Sequence, residues 1–174
     1  MRGDALALVV GSMHRIEEGS MKIKDIMTAE PGTCSPETNL AAAAELMLKA
    51  DCGILPVVDS EGKLVGIVTD RDMYIALATR DKLASQLTVG EVVRKQVFTC
   101  EPDDDVHMAL ATMKQHHIRR LPVEGFGRTV AGVVSMNDIL LATGAPKAVR
   151  SDEVIDTLRA ICAHHHPAPQ IVAA

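Results

Sequence analysis

The 174-residue chain is 47% apolar with a net charge of −5, so it can build a compact core but lacks the basic surplus needed to neutralise DNA or RNA phosphates. With no Trp, one Tyr and two Phe it cannot assemble an aromatic stacking platform, so any base it binds is expected to lie against aliphatic walls. No apolar run approaches the roughly 18 residues of a membrane span. The four cysteines (Cys34, Cys52, Cys100, Cys162) form no CxxC pair and read as reduced thiols of a cytoplasmic protein.

Residues 1–20 hold a short apolar stretch, Ala5 to Val10, preceded by Asp4 and too brief for a secretory leader. Met13 and Met21 are alternative starts, which makes this segment a natural extension or a cloning remnant. Thr33-Cys34-Ser35-Pro36 then reads as a strand, followed by Leu40, Ala43, Ala44 and Met47 at helical spacing. Two β-branched runs, Ile54 to Val58 and Leu64 to Thr69, flank Asp59-Ser60-Glu61-Gly62-Lys63, which is hairpin chemistry. A second helix is expected from about Asp70 to Ala78.

The same series then returns. Thr99-Cys100-Glu101-Pro102, a helix carrying Val106, Ala109, Leu110 and Met113, a hairpin around Gly125-Phe126-Gly127, and a helix from about Met136 to Thr143 stopped by Gly144 and Pro146 repeat the first set. A gap-free shift of 66 superposes Leu55-Pro56-Val57 on Leu121-Pro122-Val123 and gives twelve identities between residues 24 and 78. Roughly three or four are expected by chance at average composition, so the repeat is real. Residues 21–80 and 85–145 are thus two α/β (α+β) units, each strand-helix-strand-strand-helix. Each alone leaves a sheet face uncovered, and packing face to face about a pseudo-twofold covers both. Residues 150–163 read as a further helix with Ser151 as N-cap and Val154, Leu158 and Ile161 on one face, ahead of a flexible tail at 164–174.

The segments Gly66-Ile67-Val68-Thr69-Asp70-Arg71-Asp72 and Gly132-Val133-Val134-Ser135-Met136-Asn137-Asp138 each run a strand into a helix, with a hydroxyl at the junction and a carboxylate three residues on. Two readings stand. The pair is a capping box, each side chain satisfying a free backbone donor, or the helix N-terminus and hydroxyl receive a phosphate while the carboxylate accepts from a ribose diol.

Two copies of Leu-Pro-Val followed by Gly-Ile-Val-Thr-Asp-Arg-Asp or Gly-Val-Val-Ser-Met-Asn-Asp resemble the cystathionine β-synthase (CBS) domain pair, or Bateman module, over about residues 21 to 145. The resemblance implies a two-fold disc with two clefts that bind AMP, ADP, ATP or S-adenosylmethionine. It implies that Asp72 and Asp138 hold ribose and that Thr69 and Ser135 touch phosphate. The backbone around Thr33, Ile54 and Leu55, and around Thr99, Arg120 and Leu121, would wall the base. Charge is unevenly placed: Arg71 lies opposite Asn137 in the repeat, and Arg119 and Arg120 lie opposite Gly53 and Ile54. This uneven placement bears on which cleft takes a charged ligand, and the two clefts are expected to differ in ligand or affinity.

Cys162 with His164-His165-His166 offers metal ligands, but three consecutive His point apart on a helix, and no metal site is expected. His116 and His117 suit a helix C-terminus, and Cys34 and Cys100 read as small buried strand residues. No nucleophile elbow, His-Glu-x-x-His, Walker loop or dinucleotide fingerprint is present. The missing motifs argue for binding over catalysis, and with the resemblance the chain is expected to be a non-catalytic regulatory homodimer with no obligatory cofactor. It would bind an adenine nucleotide as regulatory ligand, act on a protein partner, and engage neither nucleic acid nor membrane. The alternatives are a purely structural dimerisation module and a metal or redox sensor.

Overall fold

The computed structural model describes residues 20–94 and 96–163; most of the N-terminal extension and the histidines of the C-terminal tail lie outside them. Each repeat forms where local chemistry directs it. Helix α1 (Leu40–Lys49) starts at Asn39, whose Oδ1 accepts the Ala42 N–H at 2.8 Å, and buries Leu40, Ala43 and Met47. Its counterpart α3 (Val106–His116) starts at Asp105, which accepts the His107 N–H at 2.8 Å, and buries Val106, Ala109, Leu110 and Met113.

Strands β2 (Ile54–Val58) and β3 (Leu64–Thr69) pair antiparallel across a turn in which Asp59 Oδ1 accepts the N–H groups of Glu61 and Lys63, each at 2.9 Å. Gly62, at φ 76°, supplies the left-handed residue that this turn needs. Strands β4 (Arg120–Glu124) and β5 (Val130–Ser135) pair in the matching register, and helices α2 (Asp70–Arg80) and α4 (Met136–Ala142) follow the two hairpins. The expected leading strand is reduced to single bridging residues: Cys34 pairs in parallel with Val57, and Cys100 with Val123. Pro36 and Pro102, two residues on, have no N–H to continue a ladder.

What joins the halves is an exchange of leading segments. Strand β1 (Thr28–Ala29) lies in the leading segment of the first repeat yet pairs with β5 of the second, Thr28 against Val133 and Ala29 against Gly132. Arg94, in the leading segment of the second repeat, pairs with Ile67 of β3. These two contacts are related by the shift of 66, as are Lys22 with Asp105 and Thr88 with Asn39, while Lys63 meets its own counterpart Thr129 on the pseudo-twofold axis. The cores follow the exchange. Leu87 and Val89 are buried with Leu40, Leu55 and Val68, whereas Ile23 is buried with Val106, Leu121 and Val134. Fully burying one such side chain contributes about 1.5–3 kcal/mol, so neither half is complete without the other's leading segment.

Two glycines permit the close approach. A Cβ at Gly132 would sit 2.6 Å from Met27 Sδ and 2.9 Å from Thr28 O, and one at Gly66 would overlap the Val93 side chain and lie 3.0 Å from Arg94 O. Helix α5 (Ser151–Cys162) packs on α3 and α4 and buries Val154, Thr157 and Ile161 against the second core. Its N-cap is Arg150 rather than Ser151, which is the first helical residue. None of the described helices is long and apolar enough to cross a membrane.

Candidate functional site

The two strand-to-helix junctions are built alike. Thr69 Oγ1 accepts the Asp72 N–H at 3.2 Å, and Asp72 Oδ2 accepts from the Thr69 N–H at 3.2 Å and its hydroxyl at 2.7 Å. Ser135 and Asp138 repeat this, with Asp138 Oδ2 accepting from the Ser135 N–H at 2.7 Å and its hydroxyl at 2.6 Å. Both expected ribose carboxylates therefore cap their helices.

Their second oxygens differ. Asp72 Oδ1 accepts from Arg94 Nε at 2.8 Å and Nη2 at 2.6 Å. An ionised carboxylate has about four lone-pair sites, so Asp72 is saturated. Asp138 Oδ1 has no partner among the described residues, because the position equivalent to Arg94 is Thr28, which carries no charge. Arg94 was not marked by its local sequence; the exchange brings it to the first junction, and only the shift of 66 across the repeats hints at the asymmetry.

Burial acts to raise the Asp72 carboxyl, but the Arg94 guanidinium and the Thr69 donors outweigh it and hold the group below its ordinary value. A lowered folded value contributes stability that is complete above the unfolded-chain value near 3.9 and is lost as pH falls through the folded value. The urea midpoint of the wild-type chain is therefore expected to fall more steeply below about pH 4 than that of Asp72→Asn. Parallel curves for the two proteins would contradict this.

A cleft of about 1060 Å³ opens between the halves, lined by Ile54, Ile67, Thr69, Asp70 and Arg71 of the first repeat and by His116 to Arg120 of the second. Arg94, Gln96 and Phe98 of the second leading segment, and Ile161 and Ala163 at the end of α5, complete the wall. Arg71, Arg119 and Arg120 share one cleft, because the β3–α2 junction of one repeat faces the α3–β4 turn of the other across the pseudo-twofold. None of the three has an ion-pair partner among the described residues. The α5 end is held here too: His117 Nδ1–H donates to Ala160 O at 2.9 Å and Arg119 Nη2 to Cys162 Sγ at 3.4 Å.

The walls are also less aliphatic than expected. Phe98 stacks on His116 with ring centroids 3.6 Å apart and planes inclined by 17°. Composition counts aromatics, but it cannot tell that one of two Phe will face the cleft beside a His. Of the other candidates, Leu55 and Leu121 are fully buried core residues, so only their backbone can meet a ligand. Thr33 and Asn137 are exposed, and Thr99, Ser135 and Asp138 are partly buried; these five lie outside the lining of this cleft, and Asp72 stands behind Arg94, which lines it.

Two exchanged α+β repeats with a cleft of about 1060 Å³ between them define a tandem-repeat module. The CBS-domain profile matches residues 23–79 and 89–144, and the chain belongs to the CBS-domain family. It is 33% identical over 143 residues to the L-aspartate semialdehyde sulfurtransferase of Methanocaldococcus jannaschii, a match covering 79% of this chain and 27% of that protein. A CBS domain pair solved in complex with 5′-methylthioadenosine and S-adenosyl-L-methionine superposes with a TM-score of 0.66 at 33% identity, covering 72% of this chain and 97% of the other. Hypoxic response protein 1 of Mycobacterium tuberculosis is 29% identical over 80% of this chain and 92% of its own length. Hypoxic Response Protein I with two coordinated zinc ions superposes with a TM-score of 0.64 at 28% identity, covering 72% of this chain and all of the other.

Proposed function

We propose that this chain is a non-catalytic regulatory module that binds an adenosine-type ligand between its repeats. The single observation that carries the reading is the shared cleft, where three arginines without ion-pair partners stand beside a capped helix start. Cations of this kind attract an anionic ligand end, and the helix N-terminus adds backbone donors and a favourable dipole. The adenosine part of the proposal rests on the related pair that binds 5′-methylthioadenosine and S-adenosyl-L-methionine.

The ligand would act by binding two arrangements of the module unequally, which is the only way that a ligand shifts an equilibrium. A homodimer would supply those arrangements. Tyr74 and Ile75 on α2 and their repeat equivalents Leu140 and Leu141 on α4 are all exposed apolar side chains, so the pseudo-twofold gives one face the matching halves that a symmetric dimer uses. The four unpaired cysteines fit a cytoplasmic setting. A redox role fits poorly at Cys34 and Cys100, whose thiols burial pushes up to about 11 and, with Asp104, to about 12. Among the described residues no cluster of three or more His, Cys, Asp or Glu is placed to hold a metal.

A thermal-shift panel of AMP, ADP, ATP, S-adenosylmethionine, 5′-methylthioadenosine and zinc tests the reading. A ligand present at 100 times its Kd stabilises by about 2.7 kcal/mol, which for a chain of this size is a rise of about 5–10 °C in Tm. A dose-dependent rise with at least one adenosine ligand is expected. A flat response to every adenosine ligand would overturn the proposal, and a response to zinc alone would replace it with metal sensing.

A further inference from the structure

Arg94 occupies the atoms that a ribose diol would need. It fills both remaining acceptor sites of Asp72 Oδ1, the Asp72 side chain is only 10% exposed, and the Arg94 side chain is 56% exposed. The guanidinium can therefore swing into water or toward the cleft while the carboxylate stays in place. Arg94 also lines the cleft that holds Arg71 and Arg120.

We infer that Arg94 is a specificity-determining residue of the first site, because binding there swaps its ion pair. A ribose diol takes Asp72 Oδ1, and the displaced Arg94 guanidinium pairs with the anionic group of the same ligand. This rests on the reading of the cleft as an adenosine-ligand site. A ligand with both a diol and a phosphate leaves no charge unpaired after the swap. Adenosine or 5′-methylthioadenosine, which has the diol without the phosphate, breaks the Arg94–Asp72 pair and gives Arg94 nothing in return. Breaking the bidentate pair forfeits two charge-assisted hydrogen bonds of Arg94 that only a ligand phosphate replaces, so the swap selects phosphorylated nucleosides. The second junction lacks this device, since Thr28 stands where the exchange would need an arginine and Asp138 Oδ1 is already open. Selection by phosphate is thus a property of one site only.

Calorimetric titration of the full chain with AMP and with adenosine, for wild type, Arg94→Ala and Arg94→Lys, tests this. In the wild-type chain AMP is expected to bind the first site at least tenfold more tightly than adenosine, the equivalent of about 1.4 kcal/mol. Arg94→Ala should tighten adenosine and leave AMP equal or weaker, so the ratio falls several-fold below its wild-type value while the preference due to Arg71 and Arg120 remains. Arg94→Lys, which keeps the charge, should keep most of the preference. Binding of both ligands with the AMP-to-adenosine ratio unchanged in Arg94→Ala would overturn the swap while leaving the functional reading intact. Failure of both ligands to bind the wild-type chain would overturn the two together. To show that Arg94→Ala is folded, its Tm must stay within a few degrees of wild type.

Discussion

Arg71→Ala and Arg120→Ala are each expected to weaken binding of a phosphate-bearing adenine nucleotide about tenfold, and the double variant about a hundredfold. A hydrogen bond to a charged group is worth about 1.5–3 kcal/mol, and each 1.4 kcal/mol is a factor of ten in Kd. The two side chains come from different repeats yet line one cleft, and neither has a carboxylate partner among the described residues. Removing them therefore takes away ligand contacts and breaks no ion pair of the fold. The measurement is competition against a fluorescent nucleotide, with 5′-methylthioadenosine as control, whose affinity should hold within about twofold because it offers no phosphate. If both ligands lose affinity equally, the arginines shape the cleft and do not contact phosphate. If neither does, the anionic end lies elsewhere.

Gly66→Val is expected to be among the most damaging single changes to the fold outside the hydrophobic cores. Its Cβ would overlap Val93, with the Arg94 carbonyl 3.0 Å away and unable to retreat, because the N–H and C=O of Arg94 are both bonded to Ile67. Overpacking typically costs 1–3 kcal/mol, and the loss of those backbone bonds adds to it. A loss of about 3 kcal/mol lowers Tm by about 6–12 °C in a chain of this size. Val65→Ala, on the exposed side of the same strand, should stay within about 0.5 kcal/mol of wild type. Differential scanning calorimetry of the two variants checks this, and equal Tm values would mean that the leading segments are not held as described.

How much of this was legible in the sequence depends on the range over which each feature acts. The hairpins, the capped helices and the repeat are local or self-similar, so Asn39, Asp59, Gly62 and the shift of 66 announce them. The hydroxyl–carboxylate pairs at Thr69–Asp72 and Ser135–Asp138 were legible as caps or ligand groups, and the capping geometry is present at both. The exchange of leading segments was not legible. Thr28 and Arg94 carry no propensity that says which hairpin they will join, and the partner strands are about 105 and 27 residues away in the chain. Part of what the sequence left unplaced at the site follows from that. Arg94 and Phe98 reach the cleft only because their segment crosses over, and Arg71 meets Arg119 and Arg120 only because opposite halves face each other. The end of α5 lies outside the repeat, so the repeat logic gave it no place in the cleft.

The most direct test of the adenosine-site reading is a crystal structure of the chain grown with a saturating adenine nucleotide. The ligand is expected in the cleft between the repeats, with its phosphate on Arg71 and Arg120, its ribose hydroxyls on Asp72 and the Arg94–Asp72 pair broken. Ligand density on another surface, or an empty cleft at saturating nucleotide with Arg94 still on Asp72, would contradict the account.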